Sequence, residues 1–260
     1  MFELNLDAKV IAFKDIKGRS AIIVDDFYKD PDAVRELALS LKYSDDPDLI
    51  GGFPGSRSYF ATTEVREKLY NIYLDLCSNK LWNNPDQKTQ LKSDGSFKIP
   101  LISKNRPFNE ADFEKNWDVQ GFMVNNLNDS SLKKEPMGII PHQDRWENKP
   151  SSTALLQFGS VVYLNTPDEC AGGTNLYSYN GEMSIPEDWQ PEWMRGVDQD
   201  RVSFKYIKDK VNGNDPYTCE FEADMVYNRM VLYQADVLHS QNADLGMFTD
   251  YNRINQILFM

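Results

Sequence analysis

Residues 154–180 read ALLQFGSVVYLNTPDECAGGTNLYSYN, and this stretch decides the fold class. A β-rich run over 154–165 closes on the turn-forming Asn165-Thr166-Pro167-Asp168, and a second run over 174–180 follows Gly172-Gly173. Short β-branched and aromatic runs punctuated by Asn, Asp, Pro and Gly predict strands joined by turns. The same texture recurs at 117–127, 201–208, 229–235 and 252–260, so the whole C-terminal half reads as β.

The N-terminal half differs. Ala21-Ile22-Ile23-Val24-Asp25-Asp26-Phe27 predicts a short strand ending in a turn. Asp30-Pro31 supplies a helix N-cap followed by proline at the first helical position. Val34, Leu37, Ala38 and Leu41 then recur at helical spacing, which predicts a helix near 31–42. Residues 44–58 are expected to form a loop closing on Phe53-Pro54-Gly55-Ser56-Arg57-Ser58. A second helix fits 63–79, with Val65, Leu69, Ile72, Tyr73 and Leu76 on one face, and 83–115 is polar and irregular. Two early helices followed by many short strands predict a mainly β fold with flanking helices. We expect a single domain over 1–260, with a helical N-terminal buttress about 1–115 and a β core about 116–260. The segment 181–200, containing Pro186, Trp189, Pro191 and Trp193, reads as a long insertion between strands, of the kind that forms lids.

Bulk properties narrow the function. The 260 residues carry 40 acidic against 28 basic side chains, a net charge of −12, which argues against a nucleic-acid partner because phosphates would repel the chain. No apolar run approaches the roughly 20 residues of a membrane helix, so no membrane partner is expected. The first residues lack the basic flank and apolar core of a signal peptide. Three cysteines, Cys77, Cys170 and Cys219, are odd in number and widely spaced, which predicts reduced thiols and a cytoplasmic protein.

The chain has only two histidines. His142 lies in Pro141-His142-Gln143-Asp144, and His239 follows the strand-like Met230-Val231-Leu232-Tyr233. Residues i and i+2 of a strand point to one side, so His142 and Asp144 are able to aim together. Two imidazoles and one carboxylate are the ligand set of non-haem Fe(II) oxygenases. With 40 acidic residues in 260, a carboxylate two positions after a histidine is common by chance, and the conjunction carries the reading. Arg253 follows His239 in another strand-like run, Tyr251-Asn252-Arg253-Ile254-Asn255-Gln256-Ile257-Leu258-Phe259. There Arg253 and Asn255 share a face with Ile257 and Phe259. An inward arginine must be paired, because burying its charge alone is expensive. The distal carboxylate of a bound dicarboxylic acid would pair it, and Asn255 would offer a second hydrogen bond.

These residues resemble the Fe(II)/2-oxoglutarate-dependent dioxygenase superfamily, whose signature is His-x-Asp/Glu, a distal His, and an Arg or Lys some residues later. Val161-Val162-Tyr163-Leu164-Asn165 with Ala171-Gly172-Gly173-Thr174-Asn175-Leu176-Tyr177 looks like a stretch of its prolyl-hydroxylase-like branch, and places Thr174 near the cosubstrate pocket. Arg253-Ile254-Asn255 is similar to the family's Arg-x-Ser. The resemblance covers roughly 117–260. The N-terminal part, with Asp25-Asp26-Phe27-Tyr28, is similar to a poorly characterised bacterial and phage group of the superfamily.

The resemblance implies a double-stranded β-helix (a jelly-roll, cupin-like core). It further implies Fe(II) on His142, Asp144 and His239, 2-oxoglutarate anchored by Arg253, and O2 as oxidant. The reaction would hydroxylate a C–H bond of a small molecule, amino acid or peptidyl side chain, with release of succinate and CO2. Because Asp144 is present, halogenation, which uses Ala or Gly there, is not expected. Gln120 and Asn125 are candidates for cosubstrate contact from the strand before His142. Arg57, Arg145 and Trp146 are candidates for substrate contact. A phage-encoded chain would act in the host cytoplasm. Two other readings stay open at this level: a facial-triad metal enzyme that does not use 2-oxoglutarate, and a non-catalytic β-sandwich binding or structural module.

Overall fold

The computed structural model describes residues 2, 3, 5, 9–17, 19–43, 55–60, 122–134, 136–144, 158–183, 185, 192–194, 202–212 and 216–259. Among these residues the protein is mainly antiparallel β with few helices. The strands are β1 (Lys9–Ile16), β2 (Arg19–Asp25), β3 (Ser56–Phe60), β4 (Phe122–Leu127), β5 (Phe158–Tyr163), β6 (Gly173–Tyr179), β7 (Tyr217–Asp224), β8 (Met230–Gln234), β9 (Leu238–Asn242) and β10 (Arg253–Phe259). The helices are α1 (Pro31–Ser40), α2 (Asp129–Lys134) and α3 (Phe204–Asn212).

A seven-stranded sheet runs β1-β2-β8-β5-β10-β4-β3, and a three-stranded sheet runs β7-β6-β9. Ala21, Ile23, Val161, Tyr163, Val231 and Tyr233 of the larger sheet share one apolar cluster with Leu176 and Ala223 of the smaller. The two sheets therefore pack on one another through a common core. Each fully buried Val or Leu there contributes about 1.5–3 kcal/mol from apolar surface removed from water. The register puts Val161 opposite Val231, and Tyr163 opposite Asn255, so the inward row of β5 continues onto β10. The other face of the large sheet is buried too: Ser160 and Gln256 are fully covered, and the Tyr28 hydroxyl donates to Gln256 Oε1 at 2.9 Å.

The expected helix near 31–42 is α1. Asp30 Oδ1 accepts from the Ala33 amide at 3.0 Å, which caps the first turn, and Pro31 opens it. The predicted strands at 117–127, 154–165, 174–180, 229–235 and 252–260 contain β4, β5, β6, β8 and β10. The strand predicted at 201–208 is wrong: this stretch leads into α3. Phe204, Ile207 and Val211 are buried at helical spacing, and Ser203 Oγ caps the turn by accepting from the Tyr206 amide. The alternation of Val202, Phe204 and Tyr206 imitated a strand, and the tertiary partners of the helical face decided otherwise.

The loop expected over 44–58 gives way to β3 from Ser56 onward, since β4 offers a paired edge there. The N-terminal region contributes sheet as well as helix, because β2 pairs with β8 and β1 pairs with β2. The helix expected at 63–79 and the irregular stretch 83–115 lie outside the described residues.

Candidate metal centre

The segment carrying His142 lies beside β9 and extends the smaller sheet by one bridge. The His142 amide donates to the His239 carbonyl at 3.0 Å, and the His239 amide donates back at 2.9 Å. Residues directly opposed across an antiparallel pair present their side chains on the same face. The two rings accordingly lie with centroids 4.5 Å apart. Asp144, two residues on, is held by its amide donating to Ala235 O at 2.9 Å. One ligand atom from each of His142, Asp144 and His239 lies within 4.8 Å of the others, a group able to hold a metal ion.

The hydrogen bonds behind the rings select the ligand atoms. His142 Nδ1 lies 3.1 Å from Ile140 O, and His239 Nδ1 lies 2.9 Å from Val237 O. A carbonyl only accepts, so each Nδ1 carries the proton, and each Nε2 presents a lone pair. Burial lowers the His239 pKa to about 4, so this imidazole is neutral at ordinary pH. Its Nε2 then faces Asp144 Oδ2 at 3.3 Å, an acceptor against an acceptor. A cation between them turns that repulsion into two bonds. Two cis ligands about 2.1 Å from one ion lie about 3 Å apart, close to this spacing. The donor set, the tautomers and the separation all fit a divalent metal.

Two further residues shape the centre. Tyr233 stacks on His239 with centroids 4.4 Å apart, and it sits opposite Gly159 in the β5–β8 register. A Cβ at Gly159 would lie 2.8 Å from Asp144 Oδ2 and 2.9 Å from the Tyr233 ring. Glycine there makes room for the carboxylate. A glycine inside a strand often marks such a close approach, so the sequence carried this signal.

Arg253 is 2% exposed. Its Nη1 donates to Gln241 Oε1 at 3.2 Å and to Asn255 Oδ1 at 3.1 Å, and its Nη2 donates to Gly173 O at 3.1 Å. Its Nε has no hydrogen-bond partner, and it forms no ion pair, among the described residues. Burial lowers its pKa from the usual arginine value. Its guanidinium carbon lies 5.7 Å from the Tyr163 ring centroid, and the Tyr163 hydroxyl is 2.7 Å from Thr174 Oγ1. Gln241 is two residues from His239 on β9, so the arginine meets the same face of that strand about 7 Å along it. Tyr233 joins the two regions. Burial raises its pKa well above the phenol value, the Asp144 charge raises it further, and the Arg253 charge opposes both.

The Gly172-Gly173 pair permits this approach. Gly172 has φ +65°, and a Cβ there would fall 1.9 Å from Asn242 O. A Cβ at Gly173 would fall 2.0 Å from Ala223 O. Side chains at either position would push β6 off its neighbours and move the Gly173 carbonyl away from Arg253.

The structure therefore brings Asn255 against the buried Arg253 guanidinium, with Thr174 linked to it through Tyr163. The Asn255 carbonyl oxygen is already occupied by Arg253. Asn125 faces Asn255 across β4–β10 and Arg57 across β3–β4 in backbone register. Gln120, Arg145 and Trp146 lie outside the described residues. Sequence reasoning missed Gly159, Tyr163, Tyr233 and Gln241 as parts of the site.

Residues 126–248 match a family of unknown function, DUF6445, a span that includes His142, Asp144 and His239 but stops short of Arg253. No curated protein matches the chain. Among solved structures the chain is similar to one titled "Crystal Structure of EvdMO1", at 12% identity and a TM-score of 0.29, over 98% of this chain and 55% of that one. The chain thus spans about half the length of that protein, and the likeness is too slight to carry an argument about activity.

Proposed function

We propose that this chain is an Fe(II)/2-oxoglutarate-dependent oxygenase, a single domain on a double-stranded β-helix core. It hydroxylates a C–H bond of a small molecule, amino acid or peptidyl side chain, with release of succinate and CO2. The observation that carries this reading is the buried Arg253 guanidinium, with no carboxylate partner among the described residues, which reaches through Gln241 the face of β9 that carries His239 of the His-His-Asp group. A buried cation of this kind calls for an anion, and the distal carboxylate of a dicarboxylic acid supplies one in bidentate form.

The chain's own residues divide the work. His142, His239 and Asp144 would hold Fe(II) by Nε2, Nε2 and a carboxylate oxygen. When bound, the metal would supply O2 activation coupled to oxidative decarboxylation of 2-oxoglutarate. Ile140 O and Val237 O keep both imidazoles in the ligating tautomer. Gly159 leaves the Asp144 carboxylate its place. Arg253, held by Gln241, Asn255 and Gly173, binds the far end of the cosubstrate, and Tyr163 with Thr174 packs beside it. Val161, Leu176 and Val231 share the buried apolar cluster with Tyr163 and Tyr233.

The test is anaerobic addition of Fe(II) and 2-oxoglutarate to the metal-free protein. A weak visible charge-transfer band that requires both additions supports the reading. Its absence at saturating Fe(II), with Fe(II) binding intact by calorimetry, overturns the cosubstrate assignment and leaves a metal site of another kind.

A further inference from the structure

Gln143, between the two ligand residues of its segment, is 6% exposed. Its Oε1 accepts from the Ile185 amide at 2.7 Å, and its Nε2 donates to Ile185 O at 3.1 Å. The side-chain amide thus mimics a strand neighbour of Ile185. Two residues earlier, Met183 O accepts from the Leu238 amide at 2.9 Å, next to His239. Met183 and Ile185 are therefore pinned at two sides of the centre: Met183 beside His239 through Leu238, and Ile185 between His142 and Asp144 through Gln143.

This tie has a definite location. Ile185 and Trp193 both pack against the core cluster that contains Leu238 and the buried Phe204, Ile207 and Val211 of α3, and Trp193 lies edge-on to Tyr206 at 6.1 Å. Leu238 points to the face of β9 opposite His239. Ile185 and Trp193 thus lie with Leu238 behind β9, on the side away from His239.

We infer that Gln143 is a positioning residue, and that Ile185, tied to it by two hydrogen bonds, acts through it as a rear brace that sets the geometry of the His142–Asp144–His239 centre. The inference rests on the metal reading above. The physical reason is local. The His142–Asp144 segment belongs to no named strand, and among its backbone hydrogen bonds are the exchanged pair at His142 and the bond from the Asp144 amide. The torsions of Gln143 set the angle between the two ligand side chains. Two hydrogen bonds to one backbone residue restrain those torsions. Polar contacts that orient metal ligands typically change affinity by about 10–100-fold when removed.

The experiment uses the full chain with Co(II) as probe. Gln143→Met keeps the side-chain length and removes both hydrogen bonds. Gln143→Glu keeps the acceptor and removes the donor, and reports if the first variant fails to fold. Tyr28→Phe, which loses the bond to Gln256 on the far face of the large sheet, controls for lost stability alone. We expect Gln143→Met to bind Co(II) about 10–100-fold more weakly by calorimetry, with shifted d–d absorption bands, and Gln143→Glu to move the same way by less. Tyr28→Phe lowers the melting temperature of the metal-free protein and leaves Co(II) affinity and spectrum unchanged. Wild-type affinity and spectrum in both Gln143 variants overturn the inference while the metal reading stands. A wild-type chain that takes up no Co(II) overturns both.

Discussion

His142 and His239 exchange both backbone hydrogen bonds, at 3.0 and 2.9 Å, although 97 positions separate them. The pairing makes the two imidazoles neighbours before any metal arrives, and it puts Asp144 on the same face two residues along. The centre is a consequence of register, so substitutions that keep the backbone pair should separate ligand loss from fold loss.

His142→Ala and Asp144→Ala each keep those backbone bonds. Each should weaken Fe(II) or Co(II) binding by at least about 100-fold, beyond the range for residues that only support a ligand. Far-ultraviolet circular dichroism should stay unchanged. Titration calorimetry of the metal-free variants reads the loss, and wild-type affinity in either would remove that residue from the ligand set.

Gly159→Ala places a Cβ 2.8 Å from Asp144 Oδ2 and 2.9 Å from the Tyr233 ring. Overpacking of this kind costs about 1–3 kcal/mol. Because the carboxylate must move, metal affinity should fall about tenfold or more, the lower end expected for a displaced ligand. Chemical denaturation reads the first effect and calorimetry the second. Stability loss with unaltered affinity would show that Asp144 is not constrained by this contact.

Arg253→Lys keeps the charge but loses the fork that serves Gln241, Asn255 and Gly173 together. The affinity for 2-oxoglutarate in the presence of Fe(II) should drop about 100-fold, the scale of truncating a buried charge-paired contact. Fe(II) affinity alone should change little. Equal losses in both affinities would point to a structural role for Arg253.

The pH dependence has a definite sign. Burial holds His239 at about 4 in the folded chain, below the usual histidine value of about 6.5. Between those values the unfolded chain binds the extra proton, so the metal-free protein should lose stability as pH falls from about 6.5 toward 4, and this contribution levels off below 4. Above pH 6.5 it is fully present. Thermal melts across pH 4–8 read it, and in His239→Gln the loss in that window should shrink.

The mainly β character, the helix at α1 and six of the strands, β2, β4, β5, β6, β8 and β10, are legible along the chain because each rests on local pattern: Asp30-Pro31 with helical spacing, or β-branched runs between turn residues. β9 escaped because Leu238-His239-Ser240-Gln241-Asn242 is polar, and its inward face carries site residues instead of core. β7 escaped too, since of Tyr217–Asp224 only Tyr217 and Ala223 are buried. α3 was misread because alternation and helical spacing overlap in a short segment.

The sequence by itself determined which side chains are candidates for the site, since a chain with two histidines, a His-x-Asp pair and an inward arginine leaves few other choices. Only the tertiary structure decided how they meet. The exchange of hydrogen bonds between His142 and His239, the space left by Gly159 and the approach of Arg253 to Gln241 depend on contacts between residues far apart in the chain. Periodicity records which face a residue takes on its own strand. It holds no information about which strand lies opposite, and the ligand separations are set by that partner.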